Sequence, residues 1–439
     1  MLTDANTLKD LDILRSRDGG PSVFDLLDRT KTKGGKRALR SRFENPFREP
    51  EAIRQVQSAL RFLLEHDIDF SVDPGLVAHV SDYLDSSWEV GSRRRGALLF
   101  MDSLWVTLRY REFVRYAREG AHATRTLIEE ALELAEHVHA LGPPPELARP
   151  ISQLMELIEN LRVQAVKVAR KPWELLKTDG RLRSHHRADL RCFLDVLYEL
   201  DALCAMAEAT KERGLVIPEI VDSGGFVLEG EGISHLFLDN PVSNPVELTA
   251  GATLVFLTGP NMSGKTTYLK TVGVSTFLAH VGMGVPATSF RFSPLDALFT
   301  SLSPEENLRE GLSYFMAEVQ RVREVAQALS QGKRALVLFD EVFKGTNLKD
   351  ALEASRFVIL GFAKTGSSGF IVSSHLVELT SELQGIPSIR FAYFDGEIRD
   401  GKARYDYRLE PGVSEKRFGV HLLQQVGVPE LLAGFTKAV

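Results

Sequence analysis

Gly259, Gly264, Lys265 and Thr266, within "FLTGPNMSGKTTYLKTVG", fit the spacing G-x-x-x-x-G-K-[ST]. That spacing describes a phosphate cradle. Glycines let backbone N–H groups approach phosphate oxygens, and a helix opening directly after the loop adds partial positive charge. The Lys265 ammonium can reach the β and γ oxygens, and the Thr266 hydroxyl can bind Mg²⁺. The loop follows the apolar run "TLVFL" and opens the helical run "TTYLKTVGVSTFLAHV", a context that disfavours a plain glycine-rich turn. The expected phosphate-binding residues are Gly259, Pro260, Asn261, Met262, Ser263, Gly264, Lys265, Thr266 and Thr267.

Such a loop needs a metal-holding carboxylate at the end of a neighbouring strand, and "ALVLFDE" places Asp340 and Glu341 after an apolar run. Asp340 is expected to hold the Mg²⁺ shell together with Thr266. Glu341 is expected to orient and deprotonate an attacking water. Taken alone, an acidic pair after a buried strand is more often a solvated strand end; beside the loop it reads as half of a site. His375 follows "FIVSS", where a third strand would present it to the γ-phosphate, although a lone strand-end histidine is more often structural.

Elements of two kinds must position these residues. Up to about residue 215, "PEAIRQVQSALRFLLEHD", "TLIEEALELAEHVHAL", "ARPISQLMELIENLRVQAVKVARK" and "ADLRCFLDVLYELDALCAMAEATKERG" carry apolar residues three and four apart, so residues 1–215 are expected to be all-α. "LGPPPE" breaks the pattern and predicts two antiparallel helices joined there. Over residues 216–439 short β-rich runs, "TLVFLTG", "ALVLFDE" and "SGFIVSSH", alternate with helical segments, the pattern of a parallel sheet with crossover helices. The boundary is expected near "GLVIPEIVDSGG".

The 439 residues exceed one core, and 44% hydrophobic with 26% charged residues is ordinary for a globular chain. No apolar run reaches the roughly 18 residues of a membrane span. The N-terminus is acidic where a signal peptide is basic, so a cytoplasmic protein without a membrane anchor is expected. Cys192 and Cys204 offer neither a disulfide framework nor a zinc site and are read as buried thiols. A net charge of −6 argues against a surface that grips nucleic acid everywhere, yet leaves local patches open. "RTKTKGGKRALRSR", "GSRRRG" and "RLRSHHR" are such patches, each better read as a solvated helix face.

"TGPNMSGKTTYLK", "LVLFDEVFKGTN" and "SSHLVEL", in that order, resemble the nucleotide-binding loop, acidic strand and histidine switch of the MutS DNA mismatch-repair ATPases. "NLREGLSYFMAEV" resembles the family's signature loop, which implies that Ser313 reaches across a dimer to the partner's ATP; Phe315, Met316 and Glu318 fit the same pattern. "VFDLLDRTKTKGGKRALRSRFENPFREPEAI" is similar to the start of the MutS core domain, and "YRLEPGVSEKRFGVHLLQQVGVPELL" to the closing segment. The resemblance implies an α/β P-loop ATPase domain of ABC type preceded by an all-α core and lever domain. It implies ATP and Mg²⁺ as ligands, a homodimer, mismatched or branched DNA and a possible repair-protein partner.

The chain departs from that family in ways that set further expectations. The core-like segment begins within the first 30 residues, which predicts no mismatch-reading domain; the stretch before the phosphate loop is short, which predicts a missing or reduced DNA clamp. The C-terminal helix-turn-helix dimerisation tail is expected to be largely absent. Val342-Phe343-Lys344-Gly345-Thr346 stands where the family usually has Ile-Gly-Arg-Gly-Thr, and Pro241 or Val242 where an aromatic commonly stacks on adenine. Two functions compete on this basis: an ATPase closing on DNA, and a nucleotide-switched protein scaffold that binds no DNA. A kinase built on the loop is disfavoured, because the serine segment and histidine switch have no place in it.

Overall fold

Strands buried on both faces must be apolar along their whole length, and "LVFLT", "ALVLFD" and "GFIVS" satisfy this without alternation. In the computed structural model, which describes residues 1–87, 108–164, 171–222, 224–302, 314–344, 346–399, 402–414, 416, 427–429 and 431, they lie inside a seven-stranded sheet. Its order is β1 (Leu2–Thr3), β7 (Ala297–Ser301), β8 (Ala335–Asp340), β9 (Gly369–Ser373), β5 (Leu254–Thr258), β10 (Ile389–Arg399) and β11 (Lys402–Pro411). All neighbouring pairs are parallel except β10 with β11, so the sheet is mixed. Helices Lys265–Val281, Tyr314–Ser330, Leu348–Phe362 and Glu378–Leu383 connect its strands. Phe362 of the third stacks on Phe370 of β9 with ring centroids 4.7 Å apart. Burying such a phenyl group stabilises by about 1.5–3 kcal/mol, which fixes this helix against β9 and, with the Phe339 ring 6.0 Å from Phe362, against the strand that ends at Asp340.

A second sheet, which the sequence pattern did not foreshadow, joins β2 (Glu219–Ile220), β6 (Ser289–Phe292), β3 (Val227–Ile233) and β4 (Asn244–Thr249) in that order. Its strands are short, β4 alternates buried with exposed, and β3 pairs antiparallel with both neighbours. β2 and β3 meet β6 across more than 50 positions, and β3 reaches β4 through a ten-residue connection rather than a tight turn, so no two-residue hairpin signature announces them.

By contact density the chain forms two compact units, one of Met1–Leu26, Asn45–Arg54 and Arg213–Val439, the other of Leu27–Glu44 and Gln55–Glu212. A single boundary near residue 215 does not foresee the first group's N-terminal pieces. Leu2 and Thr3 pair with Ala297 and Leu298, so the first half is not wholly helical. A two-residue edge strand has no periodicity to read. The adjoining segment is tied in by charge: the buried Asp10 carboxylate accepts from Arg17, from the Thr300 hydroxyl and from the Leu302 N–H.

The other unit is helical, with helices Lys33–Glu44, Pro74–Asp85, Arg111–Ala140, Pro145–Gln164, Pro172–Gly180 and Arg187–Glu212. The break at "LGPP" falls between Ala140 and Pro145, as the prolines require. The helix from Lys33 packs unusually close, since a Cβ on Gly35 would sit 2.0 Å from the Asp201 carboxylate. That carboxylate, 1% exposed, accepts from the Lys31 N–H, the Thr32 N–H and the Thr32 hydroxyl. The first basic patch is accordingly structural: Arg29, Lys31, Lys36, Arg40 and Arg42 pair with Glu212, Asp69, Asp28, Glu44 and Glu199. "GSRRRG" lies outside the described residues; in "RLRSHHR", Arg183 is buried against Asp179. Cys204 is buried, which pushes its thiol up to about 12, but Cys192 is exposed, against expectation. Twelve residues apart on one helix, the two sulfurs point about 120° apart. Among the described residues no helix is long and apolar enough to cross a membrane.

One buried group sets an acid limit on the sheet-containing unit. His280 is fully buried; its Nε2 accepts from the Leu295 N–H at 2.9 Å and its Nδ1 donates to the Thr276 carbonyl at 2.8 Å. Burial lowers its pKa from 6.5 to about 4 despite the Thr276 carbonyl. Between those values the unfolded chain binds a proton that the native chain refuses, so stability is complete above pH 6.5 and lost as pH falls toward 4. The loss is on the order of 3 kcal/mol. Urea unfolding at stepped pH should show it, and His280→Gln should have a flatter dependence across that window; parallel curves would refute the assignment.

Candidate active site

At the end of β5 the chain turns through Gly259, whose φ of +143° favours glycine and where a Cβ would sit 2.7 Å from the Phe394 carbonyl oxygen. The loop passes Met262 at φ +68°, 74% exposed, and reaches Gly264 at φ +103°, which caps the Lys265–Val281 helix. The helix is buried on nearly every side, so its N-terminus is fixed rigidly beneath the loop. Lys265 is 5% exposed and curls back, donating from Nζ to the carbonyls of Gly259 at 2.9 Å and Pro260 at 3.1 Å. Burial pushes the pKa of this ammonium down, opposed by the carboxylates of Glu341 and Asp340. Ser263 Oγ is buried without a hydrogen-bond partner among the described residues. A cation turned onto its own loop and an unpartnered hydroxyl suit a cradle that an anion would complete.

β9 lies between β5 and β8, so the acidic pair comes from the next strand but one rather than from the immediate neighbour. The helix start bridges the gap: Thr266 donates from Oγ1 to Asp340 at 2.5 Å. Ser373, paired with Asp340 in the β8–β9 register, donates to its other carboxylate oxygen. Thr266 and Asp340 are the hydroxyl and carboxylate that Mg²⁺ would need, since this ion keeps several waters and takes few protein ligands. Among the described residues no cluster of three or more His, Cys, Asp or Glu is placed to hold a metal.

Glu341 follows with φ +52°, its N–H donating to the Ser373 carbonyl at 3.0 Å. Its carboxylate meets His375 Nε2 on one oxygen and Lys344 Nζ on the other, with Lys265 Nζ 3.9 Å away. Burial raises its pKa, but the hydrogen bonds from His375 and Lys344 outweigh this and hold it at about 2. Glu341 is therefore ionised throughout the neutral range.

Asn261, Lys265, Thr266, Thr267 and Glu341 line one cavity of about 540 Å³, shared with Pro241, Val242, Tyr268 and Tyr407. Pro260 contributes its carbonyl to Lys265. Ser313 lies outside the described residues, whereas Phe315, Met316 and Glu318 occupy the first turns of the Tyr314–Ser330 helix. Phe315 sits 5.6 Å from the Phe343 ring, centroid to centroid.

Sequence reasoning missed Ser373, Lys344 and Tyr407. Ser373 and Lys344 stand within two or three residues of His375 and Glu341, so spacing alone could have raised them. Tyr407 could not be found that way: it reaches the cavity from β11, held at φ +58° by Asn244, whose side chain donates to the Tyr407 carbonyl and accepts from the Leu409 N–H.

Two family models match the chain: MutS domain III over residues 6–207 and MutS domain V over residues 255–437. A DNA mismatch repair protein MutS of Aquifex pyrophilus is 25% identical over 519 residues, covering 97% of this chain and 60% of that protein. The DNA mismatch repair protein MutS of Brevibacillus brevis is 30% identical over 249 residues, covering 56% of this chain and 29% of that protein. The chain thus spans less than two thirds of the length of either relative. The two models between them take in both the helical segment and the sheet with its phosphate-type loop, and the chain belongs to the MutS family.

Proposed function

We propose that the chain hydrolyses ATP to ADP and phosphate and that the bound nucleotide opens and closes a homodimer acting on mismatched or branched duplex DNA in the cytoplasm. The observation that carries this reading is the meeting of Lys265 and Thr266, at a helix N-terminus, with Glu341 around one cavity, and the hydrogen bond from Thr266 to Asp340 beside it. In this reading the α/β unit is a P-loop ATPase of ABC type and the helical residues up to about 215 form a core and lever. Both relatives are DNA mismatch repair proteins by name, which supports the DNA part.

Lys265 exchanges the Gly259 and Pro260 carbonyls for β and γ oxygens of ATP, while loop N–H groups from Pro260 to Thr267, other than the proline's, face the phosphates. Thr266 and Asp340 would hold Mg²⁺, which would supply positive charge to the triphosphate. Tyr407, with Pro241 and Val242, offers the adenine a surface. Glu341 orients a water and accepts its proton as the water oxygen bonds to the γ-phosphorus; the bond to the β-phosphate oxygen breaks and ADP leaves with the electron pair. His375, already on Glu341, fixes that carboxylate and faces the γ-phosphate. Ser313 of the partner subunit completes the γ-phosphate shell, so hydrolysis removes a contact that exists only in the closed dimer.

A second reading, a nucleotide-switched scaffold for a repair protein, is favoured by the carboxylate partners of the basic stretch at Arg29–Arg42. An anisotropy titration of duplex and branched DNA against the ATP-bound chain over a salt series separates the two. DNA action predicts an affinity whose logarithm falls linearly with log salt, by about 0.9 per phosphate neutralised, and a DNA-stimulated ATPase rate. No binding at low salt would leave the scaffold.

A further inference from the structure

The first half of the helix Arg111–Ala140 carries a stripe of basic residues that folding leaves largely without carboxylate partners. Arg111, Arg115, Arg118, His122 and Arg125 follow one another at steps of four, three, four and three residues. At 3.6 residues per turn they lie within about 40° of one line, which runs for about 21 Å along the helix. Phe113, Ala117, Gly120, Thr124 and Leu127 are buried on the opposite side. Their packing sets the rotation of the helix: a Cβ on Gly120 would sit 2.3 Å from the Tyr83 ring, and Phe113 and Ala117 cluster with Leu175 and Leu176. Arg111, Arg115, Arg118 and His122 are accordingly exposed, and Arg125 is half-buried.

Three observations set this stripe apart from an ordinary solvated helix face. Arg111 and Arg118 meet no carboxylate among the described residues and Arg115 stands 3.9 Å from Glu119, whereas Arg29, Lys31, Lys36, Arg40 and Arg42 each have a carboxylate partner. The signs are segregated rather than alternated: residues 111–125 hold four arginines and two glutamates, and residues 126–140 hold four glutamates and no lysine or arginine. Arg111 also stands in the first turn, where the helix dipole disfavours a cation, so helix stability does not account for it. The cations are arginines throughout, whose planar forks match phosphate oxygens, and the stripe offers no aromatic ring on which an unpaired base could stack. We propose that this stripe lies along the phosphate backbone of duplex DNA. The proposal rests on the DNA part of the reading above and gives it a surface on the helical unit.

The test is an anisotropy titration of labelled duplex DNA against the full chain, loaded with a slowly hydrolysed ATP analogue, over a salt series. It compares wild type, Arg111→Gln/Arg118→Gln, Arg111→Lys/Arg118→Lys and Arg40→Gln, with a thermal melt to check each fold. A phosphate contact contributes about 0.9 to the slope of log affinity on log salt, roughly eightfold in affinity at about 0.1 M salt. The glutamine pair should therefore lower the slope by about 1.8 and weaken binding about 60-fold. The lysine pair keeps the charge and should stay within about threefold of wild type, a rescue that a packing defect would not give. Arg40→Gln, in the carboxylate-paired stretch, should keep the wild-type slope. Should the glutamine pair melt early, Arg118→Gln alone decides, with a slope lower by about 0.9. A wild-type slope in the glutamine pair, or a lysine pair as weak as the glutamine pair, overturns the proposal while DNA binding stands. Binding of labelled polyglutamate but not of duplex would assign the stripe to an acidic protein partner and overturn it too. No duplex binding by wild type at low salt overturns the DNA reading, and this proposal with it.

Discussion

Lys265→Ala is expected to weaken Mg-ATP binding by at least about 100-fold while leaving the fold intact. Two or more charge-assisted hydrogen bonds to phosphate oxygens are lost, each worth roughly 1.5–3 kcal/mol, and 1.4 kcal/mol is a factor of ten. The fold should tolerate the change, because the ammonium is buried against its preference and, among the described residues, is held by the carbonyls of its own loop with the Glu341 and Asp340 carboxylates nearby. Its removal relieves a desolvation cost, and the Gly259 and Pro260 carbonyls can turn to water. Calorimetric titration with a slowly hydrolysed ATP analogue reads the affinity, and a thermal melt reads the fold. Wild-type affinity in the variant would remove the loop from the nucleotide site altogether.

The legibility of this site follows from how local its causes are. Gly259 to Thr266 is a contiguous stretch whose conformation depends on two glycines and a helix start, so spacing alone carried its geometry. Asp340 and His375 were readable because a buried strand exposes its C-terminal end, and "ALVLFD" and "GFIVS" are unmistakably buried. What spacing could not carry was order across the sheet: β9 separates β5 from β8, and the Thr266–Asp340 hydrogen bond, with Lys265 3.9 Å from Glu341, shows that the acidic strand still reaches the loop. Tyr407 and Asn244 meet across more than 160 positions, and β1 joins the sheet through two residues, so neither left a periodic trace.

The same argument explains the misread cysteine and the basic stretch. Cys192 sits among apolar residues in sequence, but helix rotation, not neighbourhood, decides burial, and it faces outward. The charges from Arg29 to Arg42 look like a nucleic-acid patch until their partners, most of them more than 30 residues away in sequence, are brought in by folding. Gly34 and Gly35 beside Tyr198 and Asp201 carried the better clue: paired glycines at a helix start mark close approach to another helix.

Glu341→Ala should separate binding from chemistry, retaining Mg-ATP at near wild-type affinity while kcat falls by about 10²–10⁴. The carboxylate makes no contact that phosphate binding requires: Lys265 is 3.9 Å from it and engages the loop carbonyls instead, and the Thr266–Asp340 pair forms without it. Its loss also leaves His375, Lys344 and Lys265 with less negative charge among them, which if anything favours an incoming triphosphate. If γ-phosphate contact closes the dimer and hydrolysis reopens it, the variant must accumulate in the closed form. Sedimentation in Mg-ATP should therefore find Glu341→Ala dimeric under conditions where wild type cycles between states, and Lys265→Ala monomeric. Normal turnover by Glu341→Ala would place the base elsewhere, and a monomeric, ATP-loaded variant would disconnect the nucleotide from dimer closure.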